Sequence, residues 1–179
     1  MRTNLPVTHN EFVIPDGVTL VSTTDLQSHI TYCNPAFIAV SGYDKSELIG
    51  QPHNIVRHPD MPEEAFRDLW HTIQSGRPWT GLVKNRCKNG DFYWVNAYVT
   101  PIYENNQVVG FESVRVKPTA KQVSRAEALY RRINSGKPAI PASNRVMPLL
   151  RVWVPFLCAV LLGTLLGNLL PGGWGYLAS

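Results

Sequence analysis

Hydrophobic and polar positions divide the first part of the chain into two short strands and a helix. The stretch VTLVSTTDLQSHITYCN holds two β-rich runs around Asp25 and Leu26, a pattern typical of a hairpin. In NPAFIAVSGY, small and apolar residues then recur at helical spacing. Asn34 suits the N-cap of this helix, because its side-chain oxygen can accept from an unpaired amide and Pro35 fits the first helical position.

The stretch PEEAFRDLWHTIQSG has the strongest helical pattern in the chain. Acids stand in its first turn, Gly76 suits the position after the helix, and Pro78 prevents continuation. Its apolar residues fall at i, i+3, i+4 and i+7, which predicts a helix that faces the core; they are Phe66, Leu69, Trp70 and Ile73.

Three strands of an antiparallel meander follow. Asn89-Gly90 is the strongest short hairpin signal, and Asn105-Asn106 marks a second turn. A two-residue loop at 89–90 would pair Asn85 with Trp94. That register places Trp79, Val83, Asn85, Trp94 and Asn96 on one face, and Leu82, Tyr93, Val95, Ala97 and Val99 on the other.

Both predicted faces of this sheet carry apolar bulk. We expect one face to cover helices or a ligand. We expect the other, around Val95 and Ala97, to contact a partner or a second subunit.

The two ends of the chain differ from this central part. Residues 1–17 are polar and contain proline without any period, which predicts a flexible arm. Residues 119–148 predict a helix that ends near Ser135-Gly136, followed by a basic juxtamembrane linker. Residues 149–170 predict a transmembrane helix, because the run VWVPFLCAVLLGTLLGNLL within them has no charge. Residues 171–179 would form a periplasmic turn or the start of a second span.

A buried helix of a soluble domain is the alternative for the apolar run, although no polar face can be drawn on it. Basic residues flank only its N-terminal side, so the positive-inside rule places residues 1–151 in the cytoplasm.

Composition narrows the possible functions. The chain has 179 residues, 44% of them apolar, enough for one core and one further segment. Its net charge of +4 would suit nucleic acid, a membrane surface or a ligand with phosphate groups. No nucleophile stands beside a base in a recognisable order, so the sequence does not indicate an enzyme. The basic residues crowd before the apolar run, which favours a membrane over nucleic acid; they are Arg125, Arg131, Arg132, Lys137, Arg145 and Arg151.

The stretch QPHNIVRHPDMPEE concentrates charge and imidazole groups. Arg57 offers two parallel donors to an anion, and His58 can donate in either charge state. From the residues alone, this pair is equally consistent with solvated side chains on a loop. Asp60 precedes Glu63 by three residues, so it is either the N-cap of a capping box or a carboxylate that orients Arg57 or His58.

Two further candidates lie in the meander. Trp79 stands between the long helix and the sheet, where an indole either fills the core or packs against a ligand ring. Asn85 has a low β-propensity, and its amide can both donate and accept.

The motifs TTDLQS, VSGY, GQPHN, VRHPDMP, PW, VKNR and KNGD together resemble a PAS domain, in particular the N-terminal module of the bacterial aerotaxis receptors. The resemblance runs from about Thr19 to Val116. It implies an α+β PAS fold over residues 18–118, with a five-stranded antiparallel sheet and with short helices and one longer helix on one face. A C-terminal transmembrane helix would follow.

The same resemblance implies a redox or oxygen sensor that binds FAD and signals in aerotaxis or energy taxis. Such a protein would sit in the inner membrane with its PAS domain in the cytoplasm. Arg57 and His58 would neutralise the cofactor and tune its potential, and Asn85 would follow a flavin edge whose hydrogen bonding changes on reduction. The implied cofactor-binding residues are Asn34, Arg57, His58, Asp60, Trp79 and Asn85.

Aerotaxis receptors continue from their membrane anchor into a HAMP domain and a kinase-control module. This sequence contains neither, so we expect its output to come through a partner or a further segment. We also expect a homodimer. The alternative is a PAS interaction module that dimerises without a cofactor, or one that binds haem through a histidine. A flavin reductase is disfavoured, because the chain has no GxGxxG fingerprint.

Overall fold

The computed structural model describes residues 4–139 and Pro155. Every helix and strand named below lies in a compact unit that ends at Lys137. Among the described residues, no helix is both long and apolar enough to cross a bilayer. The predicted span 149–170, apart from Pro155, and the predicted turn 171–179 lie outside the described residues.

One antiparallel sheet of five strands organises the domain. Its strands are β1 (Thr19–Thr24), β2 (Ile30–Cys33), β3 (Trp79–Arg86), β4 (Phe92–Glu104) and β5 (Gln107–Val116). Their order across the sheet is β2-β1-β5-β4-β3. The predicted first hairpin and the predicted meander are therefore both present, and β5 pairs with β1 to join them.

Three α-helices and one 3-10 helix connect β2 to β3, and a fourth α-helix follows β5. They are α1 (Pro35–Ser41), α2 (Lys45–Leu48), the 3-10 helix His53–Val56, α3 (Glu63–Gln74) and α4 (Ala120–Asn134). This order confirms the predicted α+β succession of two strands, short helices, one longer helix and three strands.

Local sequence sets three helix ends as predicted. Asn34 caps α1, since its Oδ1 accepts from the backbone nitrogen of Phe37 at 2.9 Å. Gly76 and Gly136 follow α3 and α4 with φ of 78° and 73°, a left-handed conformation that favours glycine.

The start of α3 differs from the prediction. Pro62 occupies the N-cap position and makes no side-chain cap. Asp60 instead pairs with Lys84, with 2.7 Å between Oδ2 and Nζ. The ammonium group gives this carboxylate a charge-assisted partner, so the interpretation of Asp60 as a helix cap is wrong.

The turn between β3 and β4 is one residue longer than predicted. The backbone nitrogen of Cys87 donates to the carbonyl of Asp91 at 2.7 Å, so the loop comprises residues 88–90. Gly90 takes φ of 101° and thereby allows this three-residue loop.

The longer loop changes which β4 side chains face the core. Asn85 pairs with Tyr93, and Trp94 moves to the outer face, because a shift of one residue reverses the direction of every side chain. The predicted partner contact around Val95 and Ala97 is wrong, since both side chains are buried in the core. The inner face, toward the helices, holds Trp79, Val83, Asn85, Tyr93, Val95, Ala97 and Val99.

Helix α4 covers part of the outer face. Tyr130 stacks on Trp94 with ring centroids 6.2 Å apart, and its hydroxyl donates to the carbonyl of Leu82. Burial raises the pKa of Tyr130 to about 12, so the hydroxyl is a neutral donor at pH 7. Asn134 adds a hydrogen bond of 2.8 Å from Nδ2 to the carbonyl of Asp60.

Residues 50–58, which we call the strap, are bonded to both edge strands of the sheet. The first two residues of the strap exchange backbone hydrogen bonds of 2.8 and 2.9 Å with Ile30 of β2. Near its other end, Arg57 forms an isolated bridge with Asn85 of β3. The strap therefore crosses the inner face, with the 3-10 helix His53–Val56 between its two attachments.

The N-terminal residues 4–12 pack against the β3–β4 hairpin, whereas the sequence predicts a flexible arm. Thr8 donates its backbone N–H to the carbonyl of Gly90 at 2.8 Å. Arg86 donates from Nε to the carbonyl of Pro6 at 2.7 Å. These backbone partners lie far along the chain, so local polarity gives no sign of them.

Candidate functional site

A cavity of about 480 Å³ lies between the inner face of the sheet, the strap and α3. Its volume falls within the roughly 300–1,000 Å³ typical of small-molecule sites. Trp70 and Phe111 meet edge to face in its wall, with ring centroids 5.7 Å apart. Apolar side chains form most of this wall; they are Phe66, Leu69, Trp70, Ile73, Val83, Ala97, Val99 and Phe111.

A buried arginine, Arg115 of β5, contributes a positive charge to the cavity wall. Its Nη2 donates to His53 Nε2 at 2.8 Å, and its Nη1 donates to Ser22 Oγ at 3.0 Å. No carboxylate among the described residues pairs with it. Burial lowers the pKa of Arg115 to about 10, which still leaves it charged at pH 7. A buried cation without a counter-charge attracts an anionic ligand.

His53 is held neutral beside this arginine. Because Nε2 accepts from Arg115, the ring carries its proton on Nδ1. Burial and the charge of Arg115 lower the pKa of His53 to about 3. Arg115 and His53 together thus carry one positive charge at pH 7.

Two buried polar groups in the wall have no hydrogen-bond partner within residues 4–139. They are Nδ2 of Asn85 and Oγ of Ser113. A buried donor or acceptor left unpaired costs about 1–3 kcal/mol. The amide and the hydroxyl are therefore suited to a ligand with a polar edge.

Arg57 lines the cavity, as predicted for a site residue. Its Nη2 donates to the carbonyl of Met61 at 2.8 Å, and its Cζ lies 4.1 Å from the centre of the Phe66 ring. Burial lowers the pKa of Arg57, and the charge of Glu63 opposes that change. An arginine remains protonated in any case, so the wall carries a second guanidinium.

His58 does not line the cavity. Its ring packs edge-on against Phe92, with centroids 5.9 Å apart, and Nδ1 accepts from the backbone nitrogen of Asp60 at 3.1 Å. Burial and the charge of Lys84 lower the pKa of His58 to about 4, so the ring is neutral at pH 7.

Asp60 belongs to the same group as His58. Its Oδ2 lies 3.5 Å from His58 Nδ1 in addition to its contact with Lys84. Burial favours a raised pKa for Asp60, but the hydrogen bond and charge of Lys84 outweigh it and hold the pKa below its usual value. The structure thus brings Asp60 and His58 together, and neither residue lines the cavity.

Asn34 is occupied by backbone partners. Besides capping α1, its Oδ1 accepts from the nitrogen of Val21 at 3.1 Å. Its Nδ2 donates to the carbonyl of Thr19 at 2.9 Å. These bonds tie α1 to β1, and Asn34 does not line the cavity.

Trp79 points toward α3. Its Nε1 donates to Asp68 Oδ2 at 2.8 Å, and its ring lies directly against Gly81. The indole does not line the cavity.

Of the six predicted site residues, the structure therefore places Arg57 and Asn85 in the cavity wall. A contact with a cofactor stays a prediction for all six residues. Sequence reasoning missed His53, Ser113 and Arg115. A signal for two of them existed, because Ser113 and Arg115 alternate along β5 at positions where an inward-facing strand is normally apolar.

Comparison with known proteins agrees with this geometry. Residues 30–115 match a family described as PAS fold. The aerotaxis receptor of Escherichia coli (strain K12) is 50% identical over 131 residues, which are 73% of this chain and 26% of the receptor. Residues 30–115 are a PAS domain. The predicted PAS fold is thereby confirmed.

Two further proteins are similar to this chain, one in sequence and one in fold. The nitrogen fixation regulatory protein of Klebsiella pneumoniae is 33% identical over 82 residues, 46% of this chain and 17% of that protein. The dark structure of the blue-light photoreceptor Aureochrome1 LOV has a TM-score of 0.56 and covers 64% of this chain and 86% of its own. At 17% identity, this likeness shows the fold alone. The chain spans about a quarter of the length of the aerotaxis receptor.

The PAS cavity combines three properties. It has an aromatic wall, a guanidinium without a carboxylate partner among the described residues, and polar groups that await a partner. A planar molecule with a polar edge that carries or acquires negative charge matches all three.

Proposed function

We propose that this PAS domain binds FAD and acts as a redox or oxygen sensor in aerotaxis or energy taxis. The observation that carries the proposal is the 480 Å³ cavity with the charged Arg115 in its wall. The similarity to an aerotaxis receptor over 73% of the chain supports a sensory role in place of an enzymatic one.

The apolar wall suits the ring system of a flavin. Phe66, Trp70 and Phe111 provide flat surfaces from α3 and β5. Aromatic side chains contribute large contact areas to planar ligands. When bound, the flavin would supply the ability to accept electrons, while the chain binds and orients it.

The polar groups of the wall suit the flavin edge. The Asn85 amide can donate or accept, and the Ser113 hydroxyl can do both. An amide in this position can meet a ring edge whose hydrogen bonding differs between redox states. Asn85 would therefore be the residue that reads the state of the cofactor.

The charges of the wall favour an anionic ligand, because among the described residues three guanidinium groups line the cavity against the one carboxylate of Glu63. Arg115 is positive at pH 7, while His53 next to it is neutral. A nearby cation stabilises the more negative form of a bound group. The reduced cofactor would thus be favoured, and its reduction potential would rise.

FAD is proposed over FMN because a further cation lies at the opening. Arg67 of α3 is exposed and lines the cavity together with Arg57. Two guanidinium groups can bind the pyrophosphate that links the two halves of FAD.

Four of the predicted site residues would act indirectly. We propose that Asp60 and His58, with Lys84, support the far side of the segment that presents Arg57. Asn34 would hold α1 to the sheet, and Trp79 would hold α3.

We further propose that residues 149–170 anchor the protein in the inner membrane, with the PAS domain in the cytoplasm and the protein acting as a homodimer. The charge-free run and the basic residues before it support the anchor. A partner or kinase-control module would receive the signal.

A PAS interaction module without a cofactor is the second candidate. Tyr32, Tyr98 and Val116 on the outer face are between 42% and 48% exposed and offer apolar surface for a dimer. Haem is less suited, because His53, the described histidine in the cavity wall, has its Nε2 engaged by Arg115.

The test is to purify the full chain in detergent and to identify any released chromophore by mass. FAD at about one molecule per chain and absorbance at about 450 nm are expected. Released FMN would contradict the choice of FAD, and a Soret band would support haem. A colourless chain that takes up no added FAD would overturn the proposal in favour of the interaction module.

A further inference from the structure

Two buried polar side chains stand opposite each other where β3 and β4 meet their turn. Asn85 and Tyr93 are paired in register and both project to the inner face. Tyr93 is completely buried, and Asn85 is 3% exposed. Directly opposed residues on one face of an antiparallel pair are close neighbours.

Within residues 4–139, neither Asn85 Nδ2 nor the Tyr93 hydroxyl makes a hydrogen bond of standard distance and angle. Both atoms are enclosed by protein. Burial raises the pKa of Tyr93 far above its usual value, while the charge of Arg115 and hydrogen bonding with the Asn85 side chain oppose this rise. The Asn85 amide thus acts on a phenol that stays neutral. The Asn85 Nδ2 group lacks an acceptor, and the Tyr93 hydroxyl oxygen can supply one.

We propose that Tyr93 is a positioning residue, whose hydroxyl oxygen accepts from Asn85 Nδ2 and so directs Oδ1 of the amide into the cavity. Rotation about the end of the Asn85 side chain completes this bond and gives the Asn85 Nδ2 donor and the Tyr93 hydroxyl oxygen a partner. Asn85 lines the cavity, whereas Tyr93 does not. Tyr93 therefore determines which atom of the Asn85 amide faces the cavity without lining the cavity itself.

The orientation has a chemical consequence for the cavity. An inward Oδ1 is an acceptor, which suits a ligand N–H; an inward Nδ2 is a donor, which suits a bare ring nitrogen or carbonyl. The reduced flavin edge carries an N–H that the oxidised edge lacks. Tyr93 would thus favour the reduced cofactor.

This inference rests on the proposed function only where it concerns the flavin, so its first test uses no cofactor. In the ¹⁵N-labelled full chain, the Asn85 side-chain amide signal is assigned by its loss in Asn85→Ala. Tyr93→Phe is expected to shift this signal and to speed its hydrogen exchange. Tyr103→Phe is the matched control, because the Tyr103 hydroxyl donates to the carbonyl of Gly76 at the surface. An unchanged Asn85 signal in Tyr93→Phe would overturn the inference.

The second test compares oxidised and reduced FAD. Tyr93→Phe is expected to weaken binding of reduced FAD relative to oxidised FAD by roughly tenfold, which lowers a two-electron midpoint potential by about 30 mV. This effect is expected to vanish when Asn85→Ala is already present. Equal weakening for both redox states would indicate a merely structural tyrosine and would contradict the inference.

The experiments remain decisive if the wild-type chain binds no FAD or if Tyr93→Phe does not fold. If the wild-type chain binds no FAD, the proposed function fails while the amide test still decides the link between Tyr93 and Asn85. If Tyr93→Phe does not fold, the ¹³Cζ signal of Tyr93 is followed in the otherwise intact chain. It is expected to move in Asn85→Ala and to stay in place in Asn96→Ala; no movement in Asn85→Ala would overturn the inference.

Discussion

Arg57 and His58 are adjacent in the chain, yet their side chains lie on opposite sides of the sheet edge. Arg57 lines the cavity, whereas His58 packs against Phe92. The strap pairs with β3 where Arg57 meets Asn85, and consecutive residues of an extended segment project in opposite directions. The geometry that brings the guanidinium into the cavity therefore keeps the imidazole out of it.

This separation predicts different effects on cofactor binding. Arg57→Ala is expected to lower FAD affinity at least about tenfold, because a charge-assisted bond is lost. His58→Asn is expected to keep the affinity, because an amide oxygen can replace Nδ1 as the acceptor from Asp60. Flavin fluorescence titration measures both. Equal losses in the two variants would place His58 at the cofactor and contradict this account.

Arg115→Met is expected to weaken FAD binding with little change in stability. The variant should lose FAD affinity by about tenfold or more, since the buried positive charge is gone. The free energy of unfolding of the cofactor-free chain should change little, because removal of a buried charge offsets the loss of its hydrogen bonds to His53 and Ser22. Urea unfolding and titration measure these effects. The exposed Arg77→Met is the control, and unchanged FAD affinity in Arg115→Met would refute the assignment.

Asn85 and Asn96 allow a test of the corrected sheet register. Asn85 lies in the cavity wall, while Asn96 lies on the outer face opposite Leu82. Asn85→Ala is expected to reduce FAD affinity by about five- to tenfold, the value of one hydrogen bond. Asn96→Ala should leave it unchanged. Similar losses in titrations of both variants would restore the register predicted from the sequence.

The neutral state of His58 predicts loss of stability in acid. Its pKa is about 4 in the folded domain and about 6.5 as an ordinary histidine, so the unfolded chain binds more protons between these pH values. Stability present above pH 6.5 is therefore lost as the pH falls, by up to about 1.4 kcal/mol per pH unit from this residue. Urea unfolding from pH 7 to 4.5 should show a shallower dependence in His58→Asn. An identical slope in both proteins would count against a buried neutral imidazole.

Gly81→Ala is expected to destabilise the domain. A Cβ atom at this position would come within 2.2 Å of the Trp79 ring, which Asp68 holds in place through Nε1. Overpacking of this kind typically costs about 1–3 kcal/mol. Thermal unfolding measures the loss, with Thr80→Ala at the exposed neighbouring position as control. A melting temperature equal to that of the control would show that the indole moves freely.

The sequence allowed most of the fold to be predicted, because its signals are local. Asn105 and Asn106 take φ of 49° and 63°, as their predicted turn requires, and Asn34 caps α1. Asn89-Gly90 is compatible with loops of two or three residues, so the pair locates the turn without fixing the register. The three-residue form exchanged the faces of Trp94 and Tyr93.

The site was predicted only in part, since its residues meet through the sheet. Arg57 and Asn85 belong to motifs that point to a ligand, and both line the cavity. Arg115 reaches His53 across 62 positions of the chain, a contact that depends on the pairing of β5 with β1. Asp60 has a suitable spacing for a helix cap, but Lys84 from a distant strand provides the stronger partner.

The strap also affects the tendency of separate molecules to aggregate through the edges of their sheets. Its two attachments engage backbone groups of β2 and β3, the strands at the two borders of the sheet. Unpaired borders recruit strands from neighbouring chains and start fibrils. A single nine-residue segment thus occupies part of each border, at Ile30 and at Asn85, and so leaves less free edge for another chain while it covers the cavity.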